Sequence, residues 1–331
     1  MIKIKVDLKD NPYNIYLKDG IISEIYRYID LNRRVLIITD KNIPSDYIER
    51  VKKQLRQPYL LTLEAGEQSK SFETFEKCHE FLLAKSFTRG DLVIALGGGV
   101  IGDLAGFVAS TYKRGIDFVN IPTSTLSQID SSVGGKTAIN LAGVKNVVGS
   151  FYQPKAVFID FSLTKSLTKR HYNSGLIEAL KAGMIKDESL FKEFEKEELN
   201  VPLIITKAIN IKARVVENDE REANERKILN FGHTIGHGLE SYYHNSGLYH
   251  GEAVGLGILK ILSNQEIYQR VKTILTKLEI TSELEYDKDI VFDYILNDKK
   301  INGDKLEIIR VNKIGYAEIV ELEIEQIKRY L

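Results

Sequence analysis

The chain predicts an α/β protein, a parallel-sheet domain followed by a mainly α-helical one, and three observations carry that reading. Across the first 160 residues short apolar runs alternate with helical stretches, the pattern of a parallel sheet covered by helices. One of those runs, Leu92 to Leu96, leads straight into Gly97, Gly99 and Gly102, the spacing of a dinucleotide-binding turn at the start of a helix. After Asp160 the strand signals thin out. Gly175 to Ile185, Leu203 to Asn218 and His250 to Ser263 carry helical periodicity, with few β-branched runs until Leu306 to Arg310.

In chain order, Met1-Ile-Lys-Ile-Lys-Val alternates like a half-buried strand and lacks the apolar core of a signal peptide. Arg34 to Thr39, Tyr59 to Leu63, Leu92 to Leu96, Phe118 to Ile121 and Ala156 to Ile159 follow as strands. The glycines after Leu96 let backbone amides approach a pyrophosphate at a helix N-terminus, as in a Rossmann-like fold; a tight turn in any α/β protein has the same glycines. That fold also wants an acid at the end of the following strand. Here that strand runs into Pro122-Thr123-Ser124, whereas an earlier one ends in Asp40, which suits either ribose hydroxyls or the cap of the next helix. Phe161 to Asn173, rich in Ser, Thr and Lys, reads as the boundary, giving domains 1–165 and 166–331. The Lys192 to Glu198 run reads as a solvated helix face.

Two further clusters carry chemistry. Pro122 to Thr137 combines hydroxyl residues, paired glycines and Lys136, followed by Lys145-Asn146, the donors and charge that close on a phosphate or polyol. Gly134-Gly-Lys-Thr137 lacks the earlier glycine of a triphosphate loop, with Asp130 in its place, which disfavours a kinase or ATPase. Three of the six histidines, His233, His237 and His250, fall within one segment. Residues four apart share a helix face, so His233 and His237 suit a divalent metal, zinc first, and equally suit a helix surface. A zinc protease needs Glu directly after the first histidine, and Thr234 stands there.

Lys+Arg and Asp+Glu are both 46, a net charge of zero, which points to neither nucleic acid nor membrane as partner. The single cysteine, Cys78, excludes an internal disulfide and suits a reducing compartment, and no apolar run reaches a membrane-spanning length. A cytoplasmic location is expected.

Taken together, the string Gly97 to Asn146, the segment Ser174-Gly-Leu-Ile-Glu-Ala-Leu-Lys181, the stretch Lys212 to Glu240 and His250-Gly-Glu252 resemble, in order and spacing, the 3-dehydroquinate synthase family of sugar-phosphate cyclases. The resemblance covers most of Ala65 to Glu252. It implies an NAD-binding α/β domain followed by a helical metal domain that holds one Zn2+, or Co2+, through Glu178, His233 and His250. It makes His237 a general acid/base beside the metal rather than a ligand. For Glu178 the residue type alone also allows an ion pair with Lys181, one turn on.

The implied reaction converts 3-deoxy-D-arabino-heptulosonate 7-phosphate to 3-dehydroquinate and phosphate, by transient oxidation with NAD, phosphate elimination, re-reduction and intramolecular aldol closure. Lys136, Asn146, Lys181, Lys212, Arg226 and Arg114 match the family's substrate contacts, Arg114 from the neighbouring subunit of a homodimer, with Asp130 and Asn230 holding hydroxyls. Asp40, Glu67, Lys70, Gly99, Val100, Ile101, Gly102, Asp103, Thr123, Ser124, Lys136, Lys145, Leu163, Thr164, Lys165 and Ser166 match cofactor positions. Asp298-Lys299-Lys300 resembles a phosphate contact. Departures stand at Thr168, where the family has Pro, at His171 after Arg170, where it has Glu, and at Ile177, where it has Ala; they put hinge geometry in doubt. A cyclase for another sugar phosphate, or a polyol or glycerol-phosphate dehydrogenase, is the alternative; the latter is disfavoured because those relatives carry Asp where Glu178 stands. An inactive binding relative is disfavoured because no matched catalytic residue is missing.

Overall fold

A computed structural model describes residues 1–243, 247–296, 301–302 and 305–331, so Asp298, Lys299 and Lys300 lie outside the described residues. The chain forms two compact units, one of Met1–Leu167 with Lys212–Arg221, the other of Thr168–Ile211 with Glu222–Leu331. The linear split at 165/166 therefore misses one segment: Lys212–Arg221 clusters with the first unit, tied there by Arg214 to the Lys5 carbonyl at 3.0 Å and by Glu217 to the Asp7 amide at 2.7 Å.

In the first unit the elements are β1 (Ile2–Val6), β2 (Tyr13–Leu17), β3 (Arg34–Asp40), α1 (Ser45–Lys52), β4 (Gln57–Leu63), α2 (Phe72–Ala84), β5 (Leu92–Gly97), α3 (Gly99–Thr111), β6 (Asp117–Pro122), β7 (Lys136–Leu141), β8 (Val144–Phe151) and β9 (Ala156–Ile159). Seven strands form one sheet in the order β1-β2-β9-β6-β5-β3-β4. Successive strand side chains point to opposite faces, and here both faces are covered. Val35, Ile37, Leu92, Ile94 and Leu96 pack with Ile48 and Val51 of α1. Leu36, Ile38, Val93 and Ala95 pack against Cys78 and Leu82 of α2 and Ile101, Leu104 and Val108 of α3. This double burial is why these strands read as continuous apolar runs.

The sheet is not wholly parallel. β1 pairs with β2 antiparallel, because only six residues separate them and a parallel return needs a crossover of a dozen or more. The hydroxyl- and glycine-rich cluster runs into strand: Lys136 and Asn146 sit on a β7–β8 hairpin whose turn residues Ala142 and Gly143 have φ of 51° and 80°, the left-handed pair that a two-residue hairpin requires.

The second unit contains α4 (Lys169–Lys186), α5 (Glu188–Glu195), the start of α6 (Val201–Asn218), α7 (His233–Tyr242), α8 (His250–Ile261), α9 (Gln265–Lys277), α10 (Lys288–Leu296) and an antiparallel sheet of β10 (Ile301–Asn302), β11 (Lys305–Lys313) and β12 (Tyr316–Glu323). The Lys192 to Glu198 run is only half a solvated face: α5 ends at Glu195 and buries Glu193 and Phe194. α4 is buried from Asn173 through Ile185 and forms the centre of the unit. α8 meets α4 on one side and α7 on the other at glycine contacts. A Cβ placed on Gly257 would lie 2.1 Å from the Gly232 carbonyl oxygen, and one on Gly251 would lie 1.8 Å from the Ser174 carbonyl oxygen. No side chain other than hydrogen fits at either point.

Adding that Cβ must push the helices apart, and overpacking of this kind costs about 1–3 kcal/mol. Gly257→Ala and Gly251→Ala are expected to lower the denaturation midpoint of the second unit. An unchanged midpoint in either variant would contradict the crossing geometry.

Candidate metal centre and nucleotide site

Glu178 lies in the middle of α4, His233 is the first residue of α7 and His250 the first of α8. The glycine contacts bring these three positions together. Glu178 Oε1 is 3.7 Å from His233 Nε2 and 3.6 Å from His250 Nε2, and among the described residues the three offer donor atoms lying within 4.8 Å of one another. The imidazoles are aimed by their other nitrogens: His233 Nδ1 faces the Phe231 carbonyl at 3.2 Å, and His250 Nδ1 faces Glu240 Oε2 at 3.0 Å. Each ring so held turns its Nε2 inward.

One carboxylate oxygen and two imidazole nitrogens are the donor set of a catalytic zinc-type site. Two ligands about 2.0–2.2 Å from one tetrahedral ion lie roughly 3.3–3.6 Å apart, so these residues fit a divalent metal with a position left open. His237, the partner that bare i, i+4 spacing offered His233, stands beside the trio, its ring centroid 5.2 Å from His233 and 5.9 Å from His250. The ion-pair reading of Glu178 also holds: its Oε2 accepts from Lys181 Nζ, with both side chains almost fully buried. Arg226 is buried in the same unit, and Asn230 Nδ2 donates to Glu222 Oε1 at 2.7 Å.

Sequence reasoning missed three groups here. Glu240 lies seven residues after His233 and three after His237 on α7, and that continuation of the helix face was the available signal. Arg170 and Glu252 form the second: the guanidinium meets both Glu252 oxygens at 2.6 and 2.7 Å, bonds the Gly247 carbonyl at 2.7 Å and lies 4.2 Å over the Tyr249 ring. Glu252 also accepts from the Tyr249 amide, so this clamp fixes the turn that starts α8 at His250. The third is Glu222. The departures from the family pattern have local employment: the Thr168 hydroxyl caps α4 at the His171 amide, and the His171 ring stacks on Tyr249 at 4.3 Å.

In the first unit, α3 follows Gly98 at its N-cap with no side-chain cap, and Cβ atoms on Gly98 and Gly99 would sit 3.6 Å from Ser124 Oγ and 3.1 Å from Ser131 Oγ. Its first-turn amides at Gly99, Val100 and Ile101 form the uncapped N-terminus of a thirteen-residue helix, which fits a pyrophosphate. Gly102 packs on Asn120, and Asp103 pairs with Lys70 at 2.7 Å. Burial pushes the Asp103 carboxyl up, against the pull of Lys70. Lys70 also donates to Asn146, whose backbone is left-handed at φ 54°, and Glu67 accepts from Asn140 at 2.8 Å. Lys212 Nζ meets Asp130 Oδ1 at 2.6 Å. Thr123 is buried, and the Ser124 and Ser127 hydroxyls are 2.8 Å apart. Leu163 and Thr164 are buried within a 3-10 turn, while Lys165 and Ser166 are exposed, as are Lys136, Lys145 and Arg114. Asp40 ends β3, but the helix-cap reading fails: its Oδ1 accepts from the Asn42 amide at 2.8 Å, and α1 starts at Ser45 after Pro44 at the N-cap, without a side-chain cap.

Comparison with known proteins identifies the family. The model for the 3-dehydroquinate synthase N-terminal region matches residues 60–174, and that for the C-terminal region matches residues 175–301. A 3-dehydroquinate synthase of Clostridium beijerinckii is 42% identical over 347 residues, covering 98% of this chain and 99% of that protein. One of Enterococcus faecalis is 40% identical, covering 100% and 98%. The chain belongs to the 3-dehydroquinate synthase family. Its fold is that of 2-deoxy-scyllo-inosose synthase, solved with carbaglucose-6-phosphate, NAD+ and Co2+ (TM-score 0.88, 24% identical, 99% of this chain and 98% of that one). It is also that of 2-epi-5-epi-valiolone synthase from Streptomyces hygroscopicus, solved with NAD+ and Zn2+ (TM-score 0.88, 24% identical, 98% and 97%). No helix among the described residues is long and apolar enough to cross a membrane.

The metal-free trio has a pH signature. Burial works against a charged His250, but Glu178 and Glu240 on its two sides outweigh it and push its pKa up from 6.5 to about 10. In the metal-free chain this proton stabilises the fold fully below the ordinary histidine value, and the contribution is lost as pH rises through about 10. A metal needs the neutral imidazole and so must displace the proton. Zinc affinity is therefore expected to rise with pH, roughly tenfold per unit for one displaced proton near neutrality, with a calorimetric heat that tracks the buffer's ionisation enthalpy. A pH-independent affinity would contradict this.

Proposed function

We propose that this chain is a 3-dehydroquinate synthase, a phosphate-eliminating carbon-oxygen lyase that converts 3-deoxy-D-arabino-heptulosonate 7-phosphate to 3-dehydroquinate and inorganic phosphate. The observation that carries the proposal is the convergence of Glu178, His233 and His250 beside Lys181, in a chain 42% identical to a named synthase over nearly its whole length. The dehydrogenase alternative is not favoured by the relatives, and iron-containing alcohol dehydrogenase of Thermotoga maritima shares the fold less closely, with a TM-score of 0.62 at 18% identity.

When bound, NAD supplies a reversible hydride acceptor, and zinc or cobalt supplies Lewis acidity at adjacent substrate hydroxyls. The rest falls to side chains. In the second unit Lys181 and Arg226 offer positive charge to the substrate's carboxylate and phosphate, Asn230 holds a hydroxyl, and His237 moves a proton beside the metal ligands. In the first unit Lys136, Asn146 and Lys212 take substrate oxygens and Asp130 orients a hydroxyl. The uncapped α3 N-terminus from Gly99 to Asp103, with Asp40, Glu67, Lys70, Thr123, Ser124, Lys136, Lys145 and the Leu163 to Ser166 turn, holds the nucleotide. We further propose a cytoplasmic homodimer in which the exposed Arg114, on a short turn with a left-handed φ of 66°, reaches the neighbouring subunit's site.

Purified protein is expected to release phosphate from the heptulosonate phosphate only with NAD and a divalent metal present; release without either would overturn the assignment. His237→Ala should keep its metal and lose turnover on the order of a hundredfold or more, whereas His233→Ala should lose both. Equal metal loss in the two variants would make His237 a ligand. Refolding inactive Arg114→Ala together with inactive Lys181→Ala should restore roughly a quarter of native sites if Arg114 acts across the dimer. No recovery, with mixed dimers shown to form, would place Arg114 in its own chain's site.

A further inference from the structure

The two imidazoles of the trio are aimed by different means. His233 Nδ1 is set by a backbone carbonyl, that of Phe231 at 3.2 Å, which belongs to the same turn and follows the ring wherever the helix goes. His250 Nδ1 is set by a side chain from another helix, Glu240 Oε2 at 3.0 Å. Glu240 sits on the last turns of α7, the helix that His233 opens, so one helix supplies a ligand at its start and the orienting carboxylate for the other helix's ligand further along. The Glu240 side chain is mostly covered, 19% exposed against 31% for His250.

Charge adds a second argument. Glu178 is the single carboxylate among the three donors, and its Oε2 already serves the Lys181 ammonium. A divalent ion beside it would be under-neutralised in a buried setting, where unbalanced charge is costly. A carboxylate on the far nitrogen of a ligating histidine returns negative charge to the centre, fixes which ring nitrogen carries the proton and makes the imidazole a better donor.

We propose that Glu240 is a positioning residue of the metal centre: its carboxylate holds His250 in the rotation and tautomer that turn Nε2 toward Glu178 and His233, and thereby sets the affinity of the site for its ion. The inference rests on the metal-site reading above. Its rival is that Glu240 only braces the α7–α8 packing, in which case its loss changes fold stability and leaves the metal alone.

The test uses full-length Glu240→Ala and Glu240→Gln, with wild type and His233→Ala as references. Zinc affinity is measured by competition with a chromophoric chelator, and the visible absorption of the Co2+ form reports ligand geometry. Glu240→Ala is expected to bind zinc roughly 10- to 100-fold more weakly than wild type, with shifted cobalt bands, as is usual when a histidine ligand loses its outer partner. Glu240→Gln keeps an oxygen but loses the charge and should fall between the two; it also decides the matter if the alanine variant fails to fold. Wild-type affinity and an unshifted cobalt spectrum in Glu240→Gln, together with wild-type affinity in any folded Glu240→Ala, would overturn the inference. Failure of wild type to bind zinc, or undiminished binding by His233→Ala, would instead overturn the metal-site reading and this inference with it.

Discussion

The second unit depends on how closely its helices approach. Carbonyl oxygens of Ser174 and Gly232 occupy the space that a side chain on Gly251 or Gly257 would need, so α8 lies against α4 and α7 at backbone distance. Ordinary helix packing keeps axes 8–10 Å apart, and small residues at the crossing are what bring backbones nearer. Donors that must share one small ion cannot tolerate extra separation. The glycines of Gly-His-Thr-Ile-Gly-His and His-Gly-Glu are thus as much a part of the metal centre as the histidines between them.

That packing creates an electrostatic difficulty which the neighbouring residues resolve. Glu178 is nearly fully buried and, without partners, its charge would be costly in the interior. Lys181 takes one oxygen, and in the metal-free chain Nε2 of the protonated His250 ring lies 3.6 Å from the other, the ring being held at Nδ1 by Glu240. Removing the proton and adding a divalent ion exchanges one positive charge for two at the same place. The Arg170–Glu252 clamp stands outside this exchange, fixing the start of α8 by geometry rather than by charge at the centre.

Much of this was legible in the residues. Strands buried on both faces announce themselves as apolar runs, which is why β3, β5, β6 and β9 fall where Val35, Leu92, Phe118 and Ala156 suggest. β2 and the β7–β8 hairpin were not legible, the first because Tyr13–Leu17 is a five-residue strand broken by Asn14, the second because β8 is exposed along most of its length and offers no apolar alternation. β12 hides its pattern behind the glutamates of Tyr316–Glu323. At the metal centre, spacing offered His233 and His237 on one helix face with His250 brought alongside by a loop; the carboxylate donor comes from α4, more than fifty residues earlier, and no local pattern reports it. Only the joint resemblance of the segments named Glu178. Asp40 shows the reverse limit: of the two employments the sequence offered, the helix cap is not made, and Oδ1 instead closes a turn at Asn42.

The claim at the centre of this account is that the convergence of α4, α7 and α8 is a three-donor metal site. Anomalous scattering at the zinc edge, from crystals of the zinc-loaded protein, tests it without reference to turnover. One strong peak is expected per chain, bonded to Glu178 Oε1, His233 Nε2 and His250 Nε2 at about 2.0–2.2 Å, with His237 outside bonding distance. A peak coordinated by His233 and His237 without Glu178, or no ordered zinc at these residues, would contradict it.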